Sequence, residues 1–102
     1  MPLELWTSPT PNGWKVSIMI EELREAGVDL GEVQVRTINL MKGEQFANDF
    51  TARNPNQKIP VLRDGDLDIF ESCAILQYLA ERHPTTLLPL DEGRWAVLPW
   101  VY

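Results

Sequence analysis

Three short stretches of this chain gather side chains suited to binding as well as to folding. In Ser8-Pro9-Thr10-Pro11-Asn12-Gly13, a loop rich in chain breakers leads into a helix. There Thr10 offers a hydroxyl and Asn12 an amide N–H₂ as donors. Backbone amides at a helix N-terminus favour an anion beside them, and the candidate anion is a substrate thiolate. A free thiol with a pKa near about 8.5 is only a few per cent ionised at neutral pH. Lowering that pKa by about two units takes about 2.7 kcal/mol of preferential thiolate stabilisation, within reach of two or three aimed hydrogen bonds and a helix terminus. Taken alone, the pair reads more readily as turn and N-cap residues, roles that both suit.

The second stretch is Gln57-Lys58-Ile59-Pro60. A proline opening a strand after an extended residue suits a cis bond, which would turn the Ile59 N–H and C=O outward to pair with a peptide-like ligand. Cis bonds are about 5–6% of X–Pro bonds in folded proteins, so an ordinary strand-edge proline explains the same residues equally well. The third stretch is Glu71-Ser72, at the head of a second helix. The Ser72 hydroxyl and the helix amides suit a carboxylate, and Glu71 suits an ammonium; together they fit the end group of an α-amino acid. A plain N-cap with an acidic neighbour is the commoner meaning of such a pair. One cysteine, Cys73, and one histidine, His83, leave no internal disulfide, no CxxC pair and no thiolate zinc site, so no metal is expected. Cys73 is expected as a small core residue, with a redox role the lesser alternative.

The elements that must hold these stretches follow from periodicity. Leu3 to Trp6 reads as a strand. From about Trp14, the residues Val16, Met19, Ile20 and Leu23 form one apolar helical stripe opposite Glu21, Glu22, Arg24 and Glu25, and Ala26-Gly27 ends the helix. Val33 to Leu40 reads as a second strand. Gln45 to about Arg53 reads as a short, weakly amphipathic helix through Phe46, Ala47 and Phe50. Ile59 to Leu62 and Leu67 to Phe70 form a hairpin across Asp64-Gly65, a dipeptide favoured by a type I′ turn. Ser72 to His83 is a largely buried helix through Ile75, Leu76, Tyr78, Leu79 and Ala80, with Ser72 as N-cap and Pro84 as stop. The order βαβ, connecting helix, ββ hairpin, helix defines an α/β, thioredoxin-like fold: a four-stranded mixed sheet with helices on both faces.

Composition narrows the function. The 102 residues suffice for one core. Nine Lys and Arg against fifteen Asp and Glu give a net charge of −6, which disfavours nucleic acid. No apolar run approaches the roughly 18 residues of a membrane span, and the N-terminus lacks a secretory pattern. A reduced, cytoplasmic setting is the expectation.

Read jointly, a thiol-stabilising loop, an amide-pairing strand and an amino-acid clamp match the three parts of γ-glutamyl-cysteinyl-glycine. The motifs NPNQKIPVL and FESCAILQYLAERHPTTLLP resemble the glutathione-site signature of cytosolic glutathione transferases, and the chain resembles their N-terminal domain along its whole length. SPTPNGWKVSIMIEE resembles the nu class, the bacterial disulfide-reductase-type transferases, and the related fungal prion-forming nitrogen regulator. In those proteins a Thr and an Asn, matching Thr10 and Asn12, replace the Tyr, Ser or Cys of other classes. The resemblance implies that Gln45, Lys58, Ile59, Glu71 and Ser72, with Pro60 beside them, form a glutathione site. It implies a homodimer and, for the nu class, disulfide reduction at the expense of glutathione.

The same resemblance divides the chain into a glutathione-binding domain (1–84), a linker (85–90) and the first turns of a helical domain (91–102) bearing Trp95, Trp100 and Tyr102. Relatives often have Gly or Ala where Cys73 stands, and the residues of the second-substrate pocket are not in this sequence. A non-catalytic binding, regulatory or dimerisation module is the alternative reading. Without the helical domain, an exposed apolar patch and oligomerisation or limited solubility are expected.

Overall fold

The structure, a computed structural model, describes residues 3–83, 93, 95 and 96. The expected linker at 85–90, the stop at Pro84, and Trp100 and Tyr102 lie outside the described residues.

Strand β1 (Leu3–Thr7) alternates buried and half-buried residues, as a strand covered on both faces does. Helix α1 (Pro11–Glu25) starts three residues before the expected start at about Trp14, because Pro11 at its first position comes with φ preset for the helix and Thr10 caps it. Val16, Ile20 and Leu23 are buried as the stripe requires, and the chain leaves through Ala26 to Gly27 at φ 86. Strand β2 (Val33–Thr37) pairs parallel to β1 and is shorter than expected. Asn39 accepts a hydrogen bond from the Lys42 amide and starts a 3-10 turn, Leu40–Lys42. A second turn, Glu44–Phe46, precedes helix α2 (Asn48–Arg53). The single helix expected from Gln45 to Arg53 is thus a 3-10 turn and a six-residue helix, broken at Ala47 by an extended backbone.

Strands β3 (Val61–Asp64) and β4 (Leu67–Phe70) form the hairpin. Asp64 pairs with Leu67, so the two-residue loop is Gly65-Asp66 rather than Asp64-Gly65. Gly65, at φ 62, supplies the single positive φ of a type II′ turn in place of the expected type I′. Helix α3 (Ser72–Arg82) closes the domain. The sheet order is β2-β1-β3-β4, with β3 antiparallel to β1: the mixed thioredoxin-like sheet expected.

The two faces of the sheet carry separate apolar clusters. On one, α1 and α3 press Val16, Ile20, Leu23, Ile75 and Leu79 against Leu3, Leu5 and Leu62. On the other, Phe50 of α2 packs with Ile38 and Val61, flanked by Trp6, Ile59 and Phe70. Burying each of these large side chains contributes about 1.5–3 kcal/mol. Farther along the second face, charge replaces apolar packing. Glu4 sits between Arg36 (2.7 Å) and Arg63 (3.9 Å), and Asp68 between Arg63 (3.3 Å) and Arg53 (3.8 Å). On this second face the apolar cluster therefore lies nearest the ends of β1 and β3 where the site is built.

Candidate functional site

The site is built from the two helix starts and one loop. At the first, Thr10 has an extended backbone (φ −130, ψ 162) and its Oγ1 accepts a hydrogen bond from the Gly13 amide at 3.3 Å. Asn12 follows at the second helical position, exposed. Gly13 is buried beneath the loop, and a Cβ there would overlap the Ser8 carbonyl oxygen and the Thr7 hydroxyl. Ser8, also buried, donates to the Ile38 carbonyl at 2.6 Å and ties the loop to the chain leaving β2. The helix start is therefore seated on the end of β1 by a missing side chain, and the loop before it is held to the exit of β2 by a buried hydroxyl.

At the second start the capping differs from expectation. Glu71, not Ser72, is the cap residue; it makes no side-chain capping bond, and Ser72 is the first residue of α3. Glu71 stands at φ 73, a conformation that non-glycine residues seldom adopt and that costs of order 1–3 kcal/mol. The amides of the first turn of α3 accordingly have no partner on Glu71's side chain and remain a favourable place for an anion. Ser72 is buried, with its Oγ 4.0 Å from Cys73 Sγ. Cys73 itself is half-buried rather than part of the core.

The loop is the segment 54–60. The Ile59–Pro60 peptide bond is cis. Gln57, at φ 58, is the other non-glycine residue of positive φ among the described residues, and it adjoins Lys58. Such conformations gather at ligand sites, where the surrounding structure holds them.

These pieces meet. A cavity of about 150 Å³ is lined by Asn12 of α1, by Asn54, Lys58, Ile59 and Pro60 of the loop, and by Glu71 and Ser72 at the head of α3. Two helix N-termini thus converge on one polar cavity carrying one cation, Lys58, and one anion, Glu71. A zwitterionic peptide matches that charge pattern. Six of the eight residues expected at the site, Asn12, Lys58, Ile59, Pro60, Glu71 and Ser72, surround this cavity. Thr10 stands just outside it as the N-cap. Gln45 lies in the Glu44–Phe46 turn, off the cavity lining, with its Oε1 buried and without a hydrogen-bond partner. Asn54 and Gly13 are not among the residues that the sequence pattern brings to the site. Asn54 carries the Asx-turn signature, but its burial comes from tertiary packing, and nothing local marks Gly13 as a contact point.

Larger openings lie elsewhere. One of about 600 Å³ sits at the opposite end of the sheet, lined by Asp29, Glu32, Asp64, Arg82 and His83 among others. Another, of about 410 Å³, runs along α1 beside Trp14 and Ile18, which are both 59% exposed. Neither has the convergence of helix starts. Among the described residues no group of three or more His, Cys, Asp or Glu is placed to hold a metal, and no helix is long and apolar enough to cross a membrane.

Comparison with known proteins decides the family. Residues 1–81 match the model of the glutathione S-transferase N-terminal domain. The chain belongs to the glutathione S-transferase family. A GST-like protein from Streptococcus mutans is 44% identical over 99% of this chain and 40% of its own length. The disulfide-bond oxidoreductase YghU from Escherichia coli is 47% identical over 99% of this chain and 36% of its own length. Among solved structures, the glutathione transferase YghU from Streptococcus pneumoniae, complexed with glutathione, superposes with a TM-score of 0.91 at 42% identity. That match covers 97% of this chain and 40% of the other. The chain therefore spans about two fifths of the length of these relatives.

Proposed function

We propose that this glutathione S-transferase N-terminal domain binds glutathione in the cavity between α1, α3 and the 54–60 loop. In this reading it serves a nu-type transferase that directs the glutathione thiolate at disulfides or electrophiles. The observation that carries the reading is the convergence of Asn12, Lys58, Ile59, Glu71 and Ser72 on one cavity. It is supported by 42% identity to a transferase solved with glutathione. In this assignment the glutathione α-amino group pairs with Glu71, and its α-carboxylate takes the Ser72 hydroxyl and the amides of α3. The cysteinyl backbone pairs with Ile59, and the sulfur sits at Asn12 beside the Thr10-capped start of α1. Gln45 completes the site only by reaching it from its own turn.

Disulfide reduction is supported by the 47% identity to the Escherichia coli disulfide-bond oxidoreductase. Assignment to the nu type rests on Thr10 and Asn12 standing where other classes use Tyr, Ser or Cys. The division into 1–84, 85–90 and 91–102, a homodimer and a cytoplasmic setting follow from the same family reading.

The test is calorimetry with glutathione on wild type and Asn12→Ala, together with the thiol pKa of the bound ligand. Wild type is expected to bind, and the variant to raise the bound thiol pKa by about one to two units, about 1.4–2.7 kcal/mol. Equal binding with an unchanged thiol pKa removes Asn12 from its role. Affinity without turnover of disulfides or aromatic halides favours the non-catalytic module.

A further inference from the structure

The helix starts are held by the core, but Lys58 and Ile59 sit on a loop with no regular secondary structure. One buried side chain organises that loop. Asn54, 2% exposed, donates from Nδ2 to the Lys58 carbonyl at 2.7 Å, and its Oδ1 accepts the Asn56 amide at 2.9 Å. Its own carbonyl accepts the Gln57 amide at 2.9 Å, and its amide donates to the Phe50 carbonyl at 2.9 Å. The chain thus leaves α2, wraps around a single carboxamide, passes Gln57 in a positive-φ conformation, and delivers Lys58 and Ile59 to the cavity. Farther back, Gln57 Nε2 donates to Thr51 Oγ1 at 3.3 Å, a second and longer tie of the same loop to α2.

The chemistry requires a carboxamide of this length. Asn carries a donor and an acceptor side by side, whereas an aspartate only accepts and an aliphatic side chain does neither. Replacing the donor by a second acceptor turns the attraction at Lys58 O into repulsion and leaves that partly buried carbonyl without its partner.

We propose that Asn54 is a positioning residue for ligand recognition. By holding the Lys58 carbonyl it fixes how Lys58 and the Ile59 backbone meet the peptide part of glutathione, and it has no part in stabilising the thiolate. This rests on the glutathione reading above. It predicts a separation of two readouts, since Asn54 orders the loop wall while Asn12 and Thr10 belong to the start of α1.

The experiment uses the full chain with Asn54→Asp, which keeps the shape and the acceptor and loses the donor. Glutathione and S-methylglutathione are titrated calorimetrically, and the thiol pKa of bound glutathione is read from thiolate absorbance. The expected result is about a tenfold rise in Kd, about 1.4 kcal/mol, equal for both ligands, with the bound thiol pKa as in wild type. A folded variant whose melting temperature falls while Kd stays unchanged makes Asn54 merely structural and overturns the proposal. So does a variant whose bound thiol pKa rises along with Kd, because the site has then loosened as a whole. If Asn54→Asp is unfolded at the assay temperature, Gln57→Ala releases the second tie of the same loop. A smaller but still equal loss for both ligands supports the proposal, and no loss overturns it. Wild type that binds neither ligand removes the glutathione reading and this proposal together. Wild type that binds while Asn54→Asp binds equally well removes only this proposal.

Discussion

The two walls of the cavity are made by different physics. Asn12, Glu71 and Ser72 ride on the starts of α1 and α3, and those helices are fixed by Val16, Leu23, Ile75 and Leu79, each fully buried between sheet and helices. Lys58, Ile59 and Pro60 ride on a loop whose shape is set by polar bonds around Asn54, with the small cluster of Phe50, Ile38 and Val61 beneath it. Apolar packing is non-directional, and many contacts share the load. A carboxamide is directional, and one wrong atom moves the backbone it holds. The difference teaches that the helix wall is as stable as the domain itself, while the loop wall can be altered separately.

The largest expected effect breaks the helix wall through the core. Ile75, 0% exposed, donates its amide to the Glu71 carbonyl at 3.0 Å and lies one turn into α3. Ile75→Ala should cost about 2–5 kcal/mol in urea unfolding. Ligand affinity measured on the remaining folded fraction should stay close to wild type. A cost below about 1 kcal/mol would show that the wall does not depend on the core.

A smaller effect tests the contact between helix and loop. Gly13→Ala places a methyl against the Thr7 hydroxyl and the Ser8 carbonyl, the latter being backbone that cannot rotate away. A loss of about 1–3 kcal/mol is expected, with the bound thiol pKa shifted because Asn12 is displaced. Stability and thiol pKa both unchanged would mean that the start of α1 is not seated on the strand as described.

The smallest effect sharpens the comparison from a distance. The Tyr78 hydroxyl donates to Asp64 Oδ2 at 2.6 Å, joining α3 to the hairpin at the end away from the site. Burial first, then the bond to Asp64 and its negative charge, hold the Tyr78 pKa above 10.0, with Arg82 opposing. The folded state thus keeps the phenol proton longer than the unfolded chain does. The stabilisation is fully present below pH 10 and is lost as pH rises through the folded-state pKa. Tyr78→Phe should cost about 0.5–1 kcal/mol at neutral pH, since the pair is partly exposed, and should flatten the loss of stability above about pH 10. Glutathione affinity should not change. An equally steep alkaline loss in the variant would assign that loss to other groups.

Much of the helix wall was legible in the sequence. The stripe Val16, Met19, Ile20, Leu23 and the breakers at Pro9 and Pro11 located α1, and Glu71-Ser72 located the head of α3. The details that failed were those settled by one backbone angle. Glu71 at φ 73 moved the cap back by one residue, and Gly65 at φ 62 moved the turn on by one. The loop wall was less legible, because NPNQKIP names the residues without saying which one is buried. Gln45 was assigned to the site by family resemblance alone, and its turn leaves it off the cavity lining.

By itself the sequence determined the order of the elements, the mixed sheet and the chemical types brought to the site, because apolar periodicity, proline and glycine act within a few residues of themselves. Tertiary structure alone decided that two helix starts and a cis-proline loop meet at one cavity. It alone made Asn54 the buried post of that loop and allowed no side chain at Gly13. Those are contacts between residues far apart in the chain or facing one another across a turn, and local pattern does not record what a side chain will meet.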